Sequence, residues 1–213
     1  MKIIKILSFF LVVIISSCGS FENKVVVEEL ISKRDSLKRE LQEGLKPSSD
    51  IKQFNWVYSA FAHAAVTGNE SLFNVFVHPK RGLWIIHQDG AMLNFTKVMN
   101  ISGYKNMQGK GLLPFDRDAM NDAPKNEVLP VIDCDSKTLY SKEGCFSQMK
   151  NYFVEDKIWK NAGLDAVLDR EVAEYAFTIT RTVVNTKNYK YYFSLIEGSW
   201  YLTFIDIRRP CAA

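Results

Sequence analysis

The sequence lacks the short motifs that mark the common catalytic and metal-binding sites. Its three histidines form no His-Glu-x-x-His motif, its four cysteines form no Cys-x-x-Cys pair, and no Gly-x-Ser-x-Gly run occurs. A zinc site or a serine hydrolase would need those residue types at those spacings. The run Asp133–Asp135 offers too few oxygen ligands for calcium, and residues 108–111, "QGKG", are only a fragment of a phosphate-binding loop. The sequence therefore predicts no metal and no cofactor.

An apolar run long enough to cross a membrane is also missing, although the chain begins with a short one. After Lys2 and Lys5, residues Ile6–Ile15 are apolar except for Ser8. Ten helical residues reach about 15 Å, half of a bilayer core of roughly 30 Å. A positive start, a short apolar centre and small residues before a cut site are typical of a secretory signal. We therefore expect residues 1–17 to be a signal peptide that is removed.

The residues around the cut, "ISSC" at Ile15–Cys18, resemble the lipobox of bacterial lipoproteins, in which cleavage occurs just before the cysteine. That resemblance implies that Cys18 is acylated on its sulfur and its new amine, and that residues 18–24 form a lipidated tether. Several acyl chains hold firmly because each buried CH₂ contributes about 0.8 kcal/mol. Gly19 in place of aspartate implies the outer membrane of the cell envelope. The alternatives are an ordinary cleaved signal with an incidental cysteine, or an uncleaved anchor.

Neither sign of charge dominates the rest of the chain. The sequence has 27 Lys and Arg against 24 Asp and Glu, and the predicted signal removes two lysines and no acid. No basic tract occurs, so we expect no nucleic-acid partner. The expected partners are the membrane, through the lipid on Cys18, and an unknown protein or small-molecule ligand.

Lipidation of Cys18 would leave three cysteines, and three can form at most one internal disulfide. An exported protein meets a compartment that permits such bonds. The favoured pair is Cys134 with Cys145, because the ten residues between them have turn chemistry. Closing that loop would stabilise the fold by about 3 kcal/mol. The alternative is that Cys211 pairs with one of these two.

Residues 25–50 are predicted to form a spacer helix and a linker. Apolar residues recur at helical spacing over residues 25–43, and Gly44 and Pro47 end the pattern. This helix could lift the domain off the membrane, pack on the domain or pair two subunits. The apolar stripe along this helix is only two to three heptads long and contains the charged Arg34, and both features disfavour a stable coiled coil.

Residues 51–213 are predicted to form an α+β domain, because a clear helical period is followed by runs with a strand period. Apolar residues at i, i+3 and i+4 predict a helix that ends at Gly68: Ile51, Phe54, Tyr58, Phe61 and Ala65. A short helix follows, and then the strand "LWIIHQ" at residues 83–88, ended by the turn Asp89-Gly90.

The rest of this domain is predicted from weaker patterns until its last forty residues. In chain order we expect a helix at 91–101, a long loop at 102–126, a short edge strand at 128–133 and a helix at 163–175. Three runs rich in β-branched and aromatic residues then predict consecutive strands, at 176–186, 188–198 and 199–209. Both alternating sets of the last run are largely apolar, so both faces of that strand should be covered.

A long amphipathic helix, short helices, an early strand and a final antiparallel meander resemble the NTF2-like (cystatin-like) α+β fold. Gly198, Trp200 and Leu202 match a Gly-x-Trp-x-Leu pattern that is common in its last strand. The resemblance covers residues 51–213, although the long 102–175 insertion departs from the compact family pattern. It implies a curved antiparallel sheet that wraps around the first helix and encloses a pocket.

Four residues are the candidates for chemistry in such a pocket. His87 with Asp89 could form an oriented acid–base pair, although the same residues also fit a strand end followed by a turn. Asp206 and Arg181 lie within predicted strands, where a charge either faces solvent or lines a cavity, so they are the pocket candidates. His63 and His78 are interpreted as structural residues of a helix flank and a turn.

Three functions follow from these patterns. The first is a membrane-anchored envelope lipoprotein whose domain binds a ligand or a protein without catalysis. The second is an NTF2-like pocket enzyme that uses His87, Asp89 or Asp206. The third is a structural lipoprotein that self-associates through the helix at 25–43. Because no convincing catalytic set occurs, the first is the leading hypothesis.

Overall fold

Five α-helices and seven strands make up the part of the chain that a computed structural model describes, residues 51–90 and 92–211. The predicted signal peptide, tether and spacer helix, with Cys18 and residues 25–43, lie outside it. The helices are α1 (Ile51–Thr67), α2 (Glu70–Phe73), α3 (Arg117–Met120), α4 (Tyr152–Glu155) and α5 (Ala166–Ala176). The strands are β1 (Leu83–Asp89), β2 (Met92–Val98), β3 (Lys125–Asn126), β4 (Cys145–Gln148), β5 (Ile179–Asn185), β6 (Lys190–Ile196) and β7 (Ser199–Asp206). None of the described helices has the length and apolarity that crossing a bilayer requires.

All seven described strands belong to one sheet with the order β2-β1-β7-β6-β5-β4-β3. Neighbouring strands are antiparallel except for β1 with β7 and β3 with β4, which are parallel. The α+β class is therefore confirmed, and so are the three consecutive final strands. Their short connections let β5, β6 and β7 pair in sequence as a meander.

Helix α1 covers one face of this sheet, which we call the α1 face. It ends where predicted, at Gly68, whose φ of +65° suits glycine. The ring of Phe54 lies 5.2 Å from that of Phe193 and 5.1 Å from that of Trp200, and Phe61 lies 5.2 Å from Tyr191. These edge-on aromatic contacts hold α1 across the centre of the meander.

The opposite face, the α5 face, is covered by α4 and α5. Buried residues of both helices and of three strands form one cluster there: Trp84, Ile86, Phe153, Val172, Tyr175, Tyr192 and Phe204. Strand β7 is thus covered on both faces, as its sequence predicts.

The helix predicted at 91–101 is wrong, because residues Met92–Val98 form strand β2. Gly90 has a φ of +71° and makes a tight turn, so the chain folds back and pairs with β1 along its whole length. Leu93 and Phe95, two residues apart, both pack on the cluster of the α5 face. The period of the segment is therefore that of a strand.

The edge strand predicted at 128–133 is also wrong, since only Ile132 makes a bridge, to Tyr140. Pro130 has no N–H with which to continue a ladder. Residues 131–141 instead form a small hairpin-like loop. The helix predicted at 163–175 is present as α5, and Asp165 caps it by accepting hydrogen bonds from the backbone N–H groups of Val167 and Leu168.

The favoured disulfide, Cys134 with Cys145, is wrong as well. Cys134 is bonded to Cys211, with 5.6 Å between their Cα atoms. Cys145 is buried on the α1 face, where its Sγ lies 3.5 Å from the hydroxyl of Tyr58. A strand residue that faces the core cannot reach Cys134 at the exposed tip of its loop.

Candidate ligand-binding cavity

The two pocket candidates lie on opposite faces of the sheet. Arg181 of β5 pairs with Phe193, and its guanidinium lies over the ring of Phe54 at 4.7 Å, on the α1 face. Asp206 ends β7 and pairs with Lys190, on the α5 face. A bulge at Thr203, between the paired positions Leu202 and Phe204, reverses the alternation of β7 and sends Asp206 to that face.

Arg181 is 1% exposed and is held by polar rather than charged partners. Its Nη1 donates to Asn126 Oδ1 at 3.2 Å and to Ser147 Oγ at 3.1 Å, while its Nε has no partner. Burial lowers the pKa of its guanidinium. No carboxylate of the described residues forms an ion pair with it, and it lines none of the cavities described below. Arg181 is therefore a buried cation of the core and does not join Asp206 in one site.

The candidate acid–base residues do not converge with Asp206 either. Ile86 is the residue of β1 that is in register with Asp206, so the next residue, His87, points to the α1 face. There the Nε2 of His87 lies 3.0 Å from Thr96 Oγ1, and its ring lies 6.2 Å from that of Tyr104. Asp89 is the last residue of the same strand, and its side chain lies outside the described part.

The other two histidines lie in a turn and on the exposed side of α1. The Nδ1 of His78 accepts hydrogen bonds from the backbone N–H groups of Lys80 and Arg81, which closes a turn. His63 is exposed on α1. Within residues 51–90 and 92–211, no three His, Cys, Asp or Glu side chains are close enough to share a metal ion.

A cavity of about 200 Å³ opens beside Asp206, and we call it the basic cavity. Its walls come from the ends of β1, β6 and β7, from the 131–141 loop and from the chain after β7. The lining residues are Gln88, Ile132, Lys190, Asp206, Arg208, Arg209, Pro210 and Cys211.

Asp206 and Arg208 form a two-pronged ion pair at the base of this cavity. Asp206 is 3% exposed. Its Oδ1 accepts from Arg208 Nε at 2.7 Å and its Oδ2 accepts from Nη2 at 2.6 Å. Burial lowers the pKa of Arg208, but the hydrogen bond and the charge of Asp206 outweigh burial and raise it. This pairing fixes the plane of the guanidinium.

Lys190 adds a second cation on the same wall. It is half-buried and lies directly across the ladder from Asp206. Its ammonium group forms no ion pair with a carboxylate of the described residues, and both oxygens of Asp206 are bonded to Arg208. Burial lowers the pKa of Lys190 and the charge of Arg208 adds to that shift, while the charges of Asp206 and Asp156 oppose it. An anion in the cavity would relieve this desolvated charge.

The basic cavity thus carries three cationic side chains and one carboxylate. Arg209 supplies the third cation at the rim. Such a surplus of positive charge over a recessed, partly buried floor attracts a small anion. Sequence reasoning identified Asp206 but missed Lys190, Arg208 and Arg209. The signal available was a single lysine in an otherwise aromatic strand and an Arg-Arg pair at the end of the next.

Two further cavities share Asp122 and Ala123. One, of about 300 Å³, lies between α1 and α3 and includes His63 and Arg117. The other, of about 440 Å³, lies beside β4 and carries two acids and two lysines: Asp122, Lys125, Glu143 and Lys187. Lys187 and Asp122 already form an ion pair at 3.5 Å. Their balanced charge makes both cavities weaker candidates than the basic cavity.

Comparison with protein-family models, with curated proteins and with solved structures finds no match to this chain. The chemistry of the basic cavity therefore carries the functional argument. That chemistry consists of one oriented guanidinium, one lysine without an ion pair and one rim arginine around a buried carboxylate.

Proposed function

We propose that this protein is a lipid-anchored lipoprotein of the bacterial cell envelope whose domain binds a small anionic ligand, without catalysis, in the basic cavity. The observation that carries this proposal is the pairing of Asp206 with Arg208 beside Lys190. Asp206 holds Arg208 through both of its oxygens, and Lys190 beside this pair has no ion pair of its own among the described residues. Such an arrangement is complementary to a carboxylate or a phosphate group.

The donors of Arg208 support a role in direct contact with the ligand. A guanidinium has five N–H groups, and Asp206 engages only Nε and Nη2. The remaining N–H groups stay available for a ligand oxygen. Asp206 would then act as a positioning residue, because its hydrogen bonds fix the direction in which the remaining N–H groups of Arg208 point toward an anion.

Binding without catalysis fits these residues better than proton transfer does. The carboxylate in this cavity is bonded to an arginine through both oxygens, so it is a poor general base. His87 points to the other face of the sheet. A pair of His87 with Asp206 therefore finds no support, and the predicted pair of His87 with Asp89 involves a side chain outside the described part.

We propose further that residues 51–213 have an NTF2-like fold. A long helix packed on an antiparallel meander, with Trp200 and Leu202 buried in the last strand, supports the NTF2-like resemblance. The basic cavity, however, lies on the face away from α1. We therefore propose an NTF2-like domain whose ligand site is not the space between the first helix and the sheet.

Calorimetric titration of the full chain in detergent tests the site, with inorganic phosphate and acetate as probes at low and high salt. Phosphate should bind more tightly than acetate, and both should weaken with salt. Lys190→Gln should weaken phosphate binding about tenfold, as expected for one hydrogen bond to a charged group. Lys110→Gln, on an exposed loop, is the matched control. Equal affinity in the Lys190 and Lys110 variants would contradict the proposal.

The anchor is tested separately by Cys18→Ala. Without the thiol no acyl chain can be attached, so the protein should leave the membrane fraction. Fractionation of inner and outer membranes of cells with the unaltered chain should place the lipidated protein in the outer membrane. A Cys18→Ala protein that stays in the membrane would argue for an uncleaved anchor instead.

A further inference from the structure

The Cys134–Cys211 disulfide ties together two walls of the basic cavity. Cys211 lines one wall directly. Ile132, two residues before Cys134, lines another. The disulfide therefore lies at the edge of the cavity and joins the 131–141 loop to the chain that follows β7.

Little else holds the chain beyond β7. The backbone N–H of Ile207 donates to the carbonyl of Ile86 at 2.9 Å, and Arg208 is fixed by Asp206. After Arg208, no hydrogen bond or ion pair within the described part of the chain ties residues 209–211 to the rest of the fold. Apart from the packing of the half-buried Pro210, the disulfide is the attachment that the described residues show for the wall that carries Arg209.

The loop on the other side depends on the disulfide at its tip. Its base is a short ladder in which Ser141 N–H donates to Val131 O at 2.9 Å and Asp133 N–H donates to Leu139 O at 3.1 Å. Leu129 and Tyr140 pack with the sheet below it. Residues 133–139 are all exposed, so beyond this base the disulfide is the tip's attachment to the domain.

The sulfur atoms of this disulfide can be reached from solvent, and the third cysteine of the described residues does not compete for them. Cys134 and Cys211 are exposed, so a reducing partner can reach them. Cys145 is buried, and burial raises the pKa of its thiol to about 12 despite the hydrogen bond to Tyr58. A thiol of that pKa is almost fully protonated at neutral pH and is not a competing nucleophile.

We propose that the Cys134–Cys211 disulfide is a redox switch for the basic cavity, an inference that rests on the proposed anion-binding function. A dithiol of the Cys-x-x-Cys class supplies the reductant. One of its thiolates attacks a sulfur of the disulfide and forms a mixed disulfide, and its second thiol then displaces the chain. The products are two thiols on this chain and one disulfide on the dithiol. The reverse exchange restores the bond.

Reduction lowers the affinity of the cavity for an anion. It frees residues 209–211, so Arg209 no longer stands at a fixed place on the rim. Asp206, Arg208 and Lys190 stay in position, because the sheet and the ion pair hold them. The expected loss is therefore partial, about tenfold, which corresponds to one hydrogen bond to a charged group.

The test compares oxidised and dithiothreitol-treated full chain in detergent by titration with inorganic phosphate. Circular dichroism of the same samples reports the fold. We expect binding about tenfold weaker after reduction, full recovery on reoxidation, and the same response in Cys145→Ala. Arg209→Gln with the disulfide intact should bind as the reduced protein does and should no longer respond to reduction.

The outcomes separate the two proposals. Absence of phosphate binding by the oxidised protein would overturn the anion-binding function itself. Equal binding before and after reduction would overturn the switch alone. Loss of the fold on reduction would also overturn it, because the bond would then be a structural cross-link. Full affinity in Arg209→Gln would overturn the mechanism by which the switch acts.

Discussion

Replacing Cys134 and Cys211 with serine should lower the free energy of unfolding by about 4.5 kcal/mol. The two cysteines are 77 residues apart in sequence, and a cross-link over that length restrains the unfolded chain strongly. The ten-residue loop of the pairing expected from sequence would give only about 3 kcal/mol. Strands β4, β5, β6 and β7 all lie between the cysteines, so the bond restricts the unfolded state of most of the sheet.

Urea unfolding followed by tryptophan fluorescence measures this loss, because Trp84 and Trp200 are buried on the two faces of the sheet. Unaltered protein unfolded with dithiothreitol should match the double variant. Cys145→Ala keeps the disulfide and should lose only about 1 kcal/mol, for the small void it leaves. A loss below about 1.5 kcal/mol in the double variant would refute the entropic reasoning.

Peptide mapping checks that Cys134 is bonded to Cys211, the pairing from which the expected loss of stability is calculated. Trypsin without reductant should release Asn126–Lys137 joined to Arg209–Ala213, since Arg209 precedes proline and is not cut. Glu143–Lys150 should carry a free thiol. A peptide that joins Asn126–Lys137 to Glu143–Lys150 would restore the pairing expected from sequence and remove the basis of the calculation.

Three further predictions concern the core and its charges. Phe54→Ala should cost about 4 kcal/mol in urea unfolding, whereas Trp56→Ala, 46% exposed, should stay within about 0.5 kcal/mol. Equal effects would contradict the packing of α1. Asp206→Asn should cost about 2 kcal/mol, less than a fully buried pair because Arg208 keeps some contact with water, and an unchanged urea midpoint would argue against the pair. Cys145 stays neutral in the fold but ionises near pH 9 when unfolded, so its contribution to stability is complete below pH 9 and declines toward pH 12. Unaltered protein should therefore lose stability relative to Cys145→Ala between pH 8 and 10.5, and parallel curves would refute the shift.

Helix α1 and the final meander can be predicted from the sequence because each is defined by residues that are close together in the chain. Helix α1 has its apolar residues at one spacing and a glycine at its end, and the last three strands have short turns between them. Strand β2 was missed because its identity depends on pairing with β1 across Gly90 rather than on its own composition. The disulfide was missed for the same kind of reason. A short loop is favoured by sequence separation, but the direction of Cys145 in β4 is set by the sheet.

The site was harder to predict than the fold because two bulges decide which side chains share a face. Strict alternation would put Asp206 with Trp200 and Leu202, against α1. The bulge at Thr203 inserts one residue, so Leu202 pairs with Phe193 on the α1 face while Phe204 pairs with Tyr192 on the α5 face.

A second irregularity in β5 acts on the other candidate. Ile179 packs in the α5-face cluster and pairs with Ser194, whereas Arg181, two residues later, pairs with Phe193 on the α1 face. Two residues that strict alternation would place together are thus on opposite sides. Both irregularities lie at the same level of the meander, beside Phe193. Two charged residues that the sequence predicts in one pocket therefore lie on opposite faces of the sheet. Arg181 lies in the aromatic core under α1, and Asp206 lies on the α5 face beside Lys190 and Arg208.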